Sequence, residues 1–280
     1  MKDLESKTFL ITGASSGIGR ISALALAARG AHVMLACRSR DKTAAVLEEI
    51  GARGGKASYL ALDLADLSSV RACAAQVIDE GTPLAGLINN AGLAGARGLT
   101  KDGFELAFGT NHLGHYLLTR LLLPHLERHA PARIVNVSSE AHYGAKQIPW
   151  DELTHPTKAR TGLPEYSVSK LCNVLFTKEL ARRLATTHVT AFAVHPGVVA
   201  TEVWREVPAP LRWIIKRFMT RPEQGANSML AAATLPELTQ ISGTYLDWNC
   251  QPRPPNKLAE DAALALELWQ RSAAWVGLPD

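Results

Sequence analysis

KTFLITGASSGIGR, residues 7–20, runs a short apolar stretch into a glycine-rich loop, and a helical pattern follows at once. The apolar stretch reads as a buried strand, and Ile18 to Gly30 reads as a helix closed by glycine. Gly13, Gly17 and Gly19 follow a G-x-x-x-G-x-G spacing rather than G-x-G-x-x-G. Glycine lets a backbone turn tightly and approach a pyrophosphate, whose charge then meets the amides of the helix N-terminus. A glycine cluster alone marks many ordinary turns. At the first strand–helix junction of an alternating chain, a dinucleotide phosphate site is the stronger reading, with Ser15, Ser16 and Ile18 completing the loop.

The alternation continues outward from this stretch. AHVMLACR, KASYLALDL, LAGLINNAG, ARIVNVSS, VTAFAVHPG and SGTYLDW read as further strands. Helical patterns separate them, the longest over residues 108–129 and 165–185. The strands are nearly all apolar rather than alternating, as a parallel sheet covered on both faces demands. Strand–helix alternation with right-handed crossovers predicts an α/β fold: one doubly wound parallel sheet of Rossmann type with helices on both faces. No low-complexity linker or internal repeat interrupts the chain, so residues 1–280 are expected to form one dinucleotide-binding domain.

Composition narrows the function classes. The 280 residues are 47% hydrophobic and 20% charged, which is ordinary for a globular protein. The net charge of +4 comes from 30 basic and 26 acidic residues spread along the chain, and no basic tract suggests nucleic acid as a partner. Cys37, Cys73, Cys172 and Cys250 lack metal-ligand spacing and read as thiols of a reducing compartment. The start, MKDLESKTFLITG, carries no signal-peptide apolar region, and no apolar run reaches the roughly 18 residues that would span a bilayer. A soluble, cytoplasmic protein without a metal is the expectation.

Ligands of open α/β sheets bind at the carboxyl ends of the strands. The second strand ends in LACRSRDK, residues 35–42, where an acid would hold the ribose hydroxyls of NAD. Arg38 stands there instead, with Arg40 and Lys42 behind it. Its charge and planar donor fork suit a 2′-phosphate, so NADP(H) is preferred to NAD(H). Asp63 and Leu64 end the third strand and NNAG, residues 89–92, ends the fourth. Asp63 could face an adenine edge, and Asn90, Ala91 and Gly92 could let a cofactor lie against the chain. Alone, each also reads as a helix cap or a turn. PEYSVSK, residues 164–170, places Tyr166 and Lys170 one helical turn apart. In isolation that pair would be an aromatic against the core and a solvated lysine.

Taken in order, TGASSGIG, Asp63, NNAG, the Asn111 of GTNHLGHY, the serines of IVNVSSEAH, YSVSK and HPG resemble the short-chain dehydrogenase/reductase family from about Thr8 to about Trp248. LACR, LGHYLLT, KLCNVLFTKELARRL and HPGVVATE are most similar to its retinol dehydrogenase branch. The resemblance implies an alcohol–carbonyl oxidoreductase with a catalytic set of Asn111, Ser139, Tyr166 and Lys170, Ser138 being the lesser candidate. Tyr166 would pass a proton to or from the substrate oxygen, and Ser139 would polarise that oxygen. Lys170 would lower the tyrosine pKa and hold the nicotinamide ribose, while Asn111 would position a water behind it. Pro196, Gly197, Val198 and Thr201 of the HPG segment would wrap the nicotinamide and pyrophosphate. His195 reads as a satisfied structural group at a strand end.

The 26 residues between Ser139 and Tyr166 also fit the retinol dehydrogenase branch and predict a loop at the substrate mouth, with Trp150 packed there. Residues 200–225 lie where the family places a substrate lid. Leu211, Ile214, Ile215 and Phe218 share one helical face, which would suit a lipophilic carbonyl or alcohol, a membrane surface or a subunit contact equally. The tail, residues 259–278, reads as an amphipathic helix that covers the core or joins an interface, and family habit implies a dimer or tetramer. The main reading is an NADP(H)-dependent enzyme on a hydrophobic small molecule. Its rivals are a catalytically silent NADP(H) sensor or scaffold and a sugar-nucleotide epimerase or dehydratase. The intact catalytic set argues against the sensor, and the glycine spacing against the epimerase.

Overall fold

The computed structural model describes residues 2–197 and 222–280. Seven strands, β1 (Thr8–Thr12), β2 (His32–Cys37), β3 (Lys56–Ala61), β4 (Gly86–Asn89), β5 (Ala132–Val137), β6 (Val189–Val194) and β7 (Tyr245–Leu246), form one sheet in the order β3-β2-β1-β4-β5-β6-β7. Every pairing is parallel. The order reverses direction between β1 and β4, and that switch point opens a crevice at the strand C-termini. The expected doubly wound sheet is therefore present.

Helices α1 (Gly17–Ala28), α2 (Arg40–Ala52) and α7 (Pro222–Thr234) cover one face. The other face carries α3 (Leu67–Glu80), α5 (Gly114–Arg128), α6 (Leu163–Arg183) and α8 (Ala262–Trp275). β1, β4 and β6 are buried along their whole length, which is why their sequences do not alternate. Local chemistry sets the helix ends. Asp66 accepts from the amides of Ser68 and Ser69 at the start of α3, and Gly81 closes that helix in the left-handed region at φ 65°.

The pattern over residues 108–129 predicts one continuous helix, and the structure divides it. A short turn α4 (Leu106–Phe108) and a π-turn over Gly109–Leu113 precede α5. Two contacts account for the break. A Cβ at Gly114 would lie 2.6 Å from the Leu64 carbonyl, so the helix meets the segment after β3 there at backbone distance. The Asn111 carbonyl accepts from His115 Nδ1 at 3.0 Å, so a side chain serves a carbonyl at the wide turn.

The tail helix α8 covers the core, one of the two alternatives open for it. Trp269 stacks on Phe176 with ring centres 5.9 Å apart and meets Tyr116 edge-on at 5.3 Å. Arg120 and Arg183 lie over its ring at 4.6 and 4.3 Å. Trp150 packs here too: its ring lies under Arg271 at 4.7 Å and 6.4 Å from Trp275, on α8 rather than at the substrate mouth. No described helix is long and apolar enough to cross a membrane. Trp269 is only 3% exposed. Trp269→Ala should therefore lower the stability by about 3–5 kcal/mol, read as a lower denaturant midpoint at unchanged slope. A loss below about 1 kcal/mol would show that α8 does not belong to the folded core.

Candidate active site

The switch-point crevice is a cleft of about 550 Å³. Its phosphate end is the loop after β1. Gly13 sits at φ 68°, and a Cβ there would come within 2.8 Å of the Ala91 backbone. Only glycine lets the β1 loop and the β4 loop meet this closely. The β4 loop is held in return by Thr12, whose hydroxyl accepts from the amides of Asn90 and Ala91 at 2.9 Å each. Ser15, Ser16, Gly17, Ile18 and Gly19 follow along the wall. Ser16 begins α1 without a side-chain cap, and no acid stands in the first turn. The helix amides there suit an anion.

Arg38, Ser39 and Lys42 line the end of the cleft at β2. Arg40, which the sequence groups with them, instead lies over the Tyr59 ring at 5.6 Å. The basic side chains at this wall are thus Arg38 and Lys42. Asp63 and Leu64 line the neighbouring wall. The Asp63 carboxylate accepts from its own loop, at Ala65 N, at 3.0 Å. Thr110 and Leu93 also line the cleft and were missed in the sequence, although each adjoins a motif that was found. Asn90 Oδ1 and Thr110 Oγ1 are buried and have no partner among the described residues. Uncapped amides, two basic side chains and orphaned polar atoms fit a dinucleotide.

The chemistry end is built by β5 and α6. Ser138 and Ser139 both line the cleft but do different work. The Ser138 hydroxyl donates to the Lys170 carbonyl at 2.8 Å, tying β5 to α6. Ser139 is the serine hydrogen-bonded to Tyr166. Burial pushes the Tyr166 hydroxyl above its ordinary value, and the Ser139 hydrogen bond pulls it back down. Lys170 Nζ lies 5.6 Å from the centre of the Tyr166 ring and donates to the Val137 carbonyl at 2.9 Å. Burial brings this ammonium down to about 8.

Asn111 stands behind these groups with its amide committed elsewhere. Its Oδ1 accepts from Leu93 N at 2.9 Å, and its Nδ2 donates to the Leu93 carbonyl and to Ser169 Oγ, each at 3.0 Å. Through these bonds the side chain of Asn111, the residue that the resemblance places beside a water behind Lys170, braces the β4 loop against α6. Its backbone carbonyl takes the His115 Nδ1 proton, and His115 Nε2 faces Thr12 Oγ1 at 2.8 Å. Pro196 and Gly197 close the cleft at the end of β6. Val198, Thr201 and most of the lid segment lie outside the described residues. His195 is buried, takes the Glu140 amide at 3.3 Å and falls to about 4 through burial, which fits a structural histidine.

The Val137 carbonyl also accepts from Asn173 Nδ2 at 3.1 Å, so removing the ammonium leaves it paired. A lysine brought down by burial destabilises the fold wherever it is charged, and the penalty fades as pH rises from about 8 toward 10.5. Lys170→Met should therefore stabilise the cofactor-free protein by about 1–3 kcal/mol at pH 7.5, with the gain shrinking at pH 9.5. Urea unfolding at the two pH values measures this, and a destabilised variant would contradict it.

Comparison with known proteins gives this geometry its context. The family model for short chain dehydrogenases matches residues 7–152 and 153–211. Human retinol dehydrogenase 13 is 42% identical over 98% of this chain and 86% of its own length. A crystal structure of a protein from Mycobacterium paratuberculosis superposes with a TM-score of 0.79 at 36% identity, covering 99% of this chain and 96% of that one. The 3-ketoacyl-(acyl-carrier-protein) reductase of Brucella melitensis, solved with NADH, superposes with a TM-score of 0.69 at 26% identity over 88% of this chain and 97% of that one.

Proposed function

Because the chain belongs to the short-chain dehydrogenase family, as a retinol-dehydrogenase-like oxidoreductase of alcohols and carbonyls with a nicotinamide cofactor, we propose that it uses NADP(H) on a hydrophobic ketone or aldehyde and the matching alcohol. The observation that carries this reading is the meeting of Ser139, Tyr166 and Lys170 in one cleft with the uncapped N-terminus of α1. The nicotinamide, when bound, supplies or accepts the hydride. In reduction Tyr166 gives its phenolic proton to the carbonyl oxygen, and in oxidation it takes the alcohol proton. Ser139, bonded to the same hydroxyl, holds the reacting oxygen beside it. The Lys170 ammonium lies 5.6 Å from the centre of the tyrosine ring, where its charge would favour the phenolate against the burial that opposes it.

Arg38 and Lys42 support the choice of NADP(H). They line the β2 end of the cleft, where a carboxylate would favour NAD(H), and Ser39 between them is neutral. The lipophilic substrate class rests on the likeness to retinol dehydrogenases.

Tyr166→Phe should lower NADPH-dependent carbonyl reduction by about 10²–10⁴ while NADPH binding is kept. Turnover unchanged in that variant would sink the mechanism. Binding of NADPH without turnover of any hydrophobic aldehyde, ketone or quinone would favour a sensor or scaffold. Arg38→Asp should shift the NADPH/NADH preference toward NADH by at least about tenfold, since one ion pair to phosphate contributes well over 1 kcal/mol. An unchanged ratio of kcat/KM for the two cofactors would show that Arg38 does not read the 2′-phosphate.

A further inference from the structure

Ser139 stands on a loop, whereas Tyr166 and Lys170 stand on a 21-residue helix. The serine ends the run from β5 and caps a short 3₁₀ turn over Glu140–Gly144, its Oγ accepting from Ala141 N at 3.2 Å. A single such turn does not fix a hydroxyl by itself. The loop is instead held from outside by the segment between β7 and α8. His142 Nδ1 meets the Ser139 carbonyl at 2.6 Å, and its Nε2 meets the Asn256 amide at 3.0 Å. A carbonyl only accepts and a backbone amide only donates, so the ring is neutral with its proton on Nδ1. The ring is fully buried, with centres 4.1 Å from Tyr143 and 4.7 Å from Tyr245. Asn256 Nδ2 donates to the carbonyls of His142 and Ala145, both at 2.9 Å, while its Oδ1 caps Leu258 N. Arg253 pairs with Glu140 at 2.9 Å. The prolines at 252, 254 and 255 restrict this segment before it meets the loop.

We propose that His142 and Asn256 are positioning residues for Ser139, so that a strap 114 residues downstream of His142 fixes where the serine hydroxyl stands against the substrate oxygen. The proposal rests on the catalytic reading of Ser139 given above. Misplacing a reacting contact by an ångström lowers turnover without weakening the binding of groups held elsewhere. The phosphate loop and the α6 pair make none of the contacts to the strap described here, so the loss should fall on Ser139 alone.

Two substitutions separate this from a general contribution to folding. Asn256→Asp keeps an oxygen for the Leu258 amide but cannot donate to the two carbonyls. His142→Phe keeps a ring against Tyr143 and Tyr245 but neither hydrogen bond. In carbonyl reduction with NADPH, both should lower kcat by about 10–100-fold with NADPH affinity unchanged. The primary isotope effect from NADPH deuterated at C4, measured for both C4 epimers, should rise as hydride transfer becomes limiting. Asn256→Asp combined with Ser139→Ala should be no slower than Ser139→Ala alone, because the strap acts through the serine. Wild-type turnover in both single variants, losses that multiply in the double variant, or loss of NADPH binding alongside turnover would each overturn the proposal. A Ser139→Ala variant as fast as wild type would instead remove the reading of the site on which it depends.

Discussion

The Thr12 hydroxyl accepts from the amides of Asn90 and Ala91, and its proton is left to face His115 Nε2, so the end of β1 is tied at once to the β4 loop and to the first turn of α5. His115 passes the connection on to the Asn111 carbonyl, and the Asn111 amide grips Leu93 and Ser169. Ser169 Oγ in turn donates to the Tyr166 carbonyl at 2.7 Å. One buried chain of hydrogen bonds therefore runs from the phosphate loop to the helix that carries the tyrosine. Such a network holds geometry only while every member is satisfied, and burial keeps His115 neutral, at about 4, so that it can accept from Thr12. The distance between cofactor end and chemistry end is set by side chains more than by the sheet alone.

Lys170 shows what this geometry requires. Its ammonium is buried with the Val137 carbonyl as its hydrogen-bond acceptor among the described residues, and the desolvation lowers its pKa. A core optimised for stability would place an apolar side chain there. In the proposed mechanism the charge next to a buried phenol serves proton transfer rather than folding.

The parts of this molecule that were legible in the sequence are those encoded locally. Strand identity shows in unbroken apolar runs, because both faces of β1, β4 and β6 are covered. The glycine loop shows in its spacing at a strand–helix junction, whereas Ser139 and the Tyr166–Lys170 pair stand out only in the ordered set of motifs that carries the family resemblance. What could not be read are choices between equivalent partners. Arg40 and Arg38 look alike in LACRSRDK, yet the helical direction of α2 turns Arg40 onto Tyr59. The π-turn rests on Gly114 meeting the Leu64 carbonyl, a contact between distant segments. Trp150 could have faced the mouth or the tail, and only the position of α8 decided between them. Asn256 is an unremarkable polar residue after two prolines; its meaning appears only when the carbonyls at 142 and 145 are in place around it.

The same distinction explains why, in the proposed site, Ser139 needs a strap and Tyr166 and Lys170 do not. A helix fixes Tyr166 and Lys170 by its own hydrogen bonds, and the buried apolar side chains of α6, Leu171, Val174 and Leu175 among them, fix the helix in the core. Ser139 leaves β5 just where regular structure ends, and the loop that follows must also leave room for a substrate. A position of that kind is held either by a longer element or by polar ties from elsewhere in the chain. This chain uses the second solution: a proline-restricted segment, braced between β7 and the tail helix, reaches back to the loop through Asn256 on His142 and Ala145 and through Arg253 on Glu140. Because α8 docks on α5 and α6 through Trp269, the body that carries the strap is the same body that carries Tyr166. Serine and tyrosine are thereby referred to one frame, although the sheet delivers them from different elements.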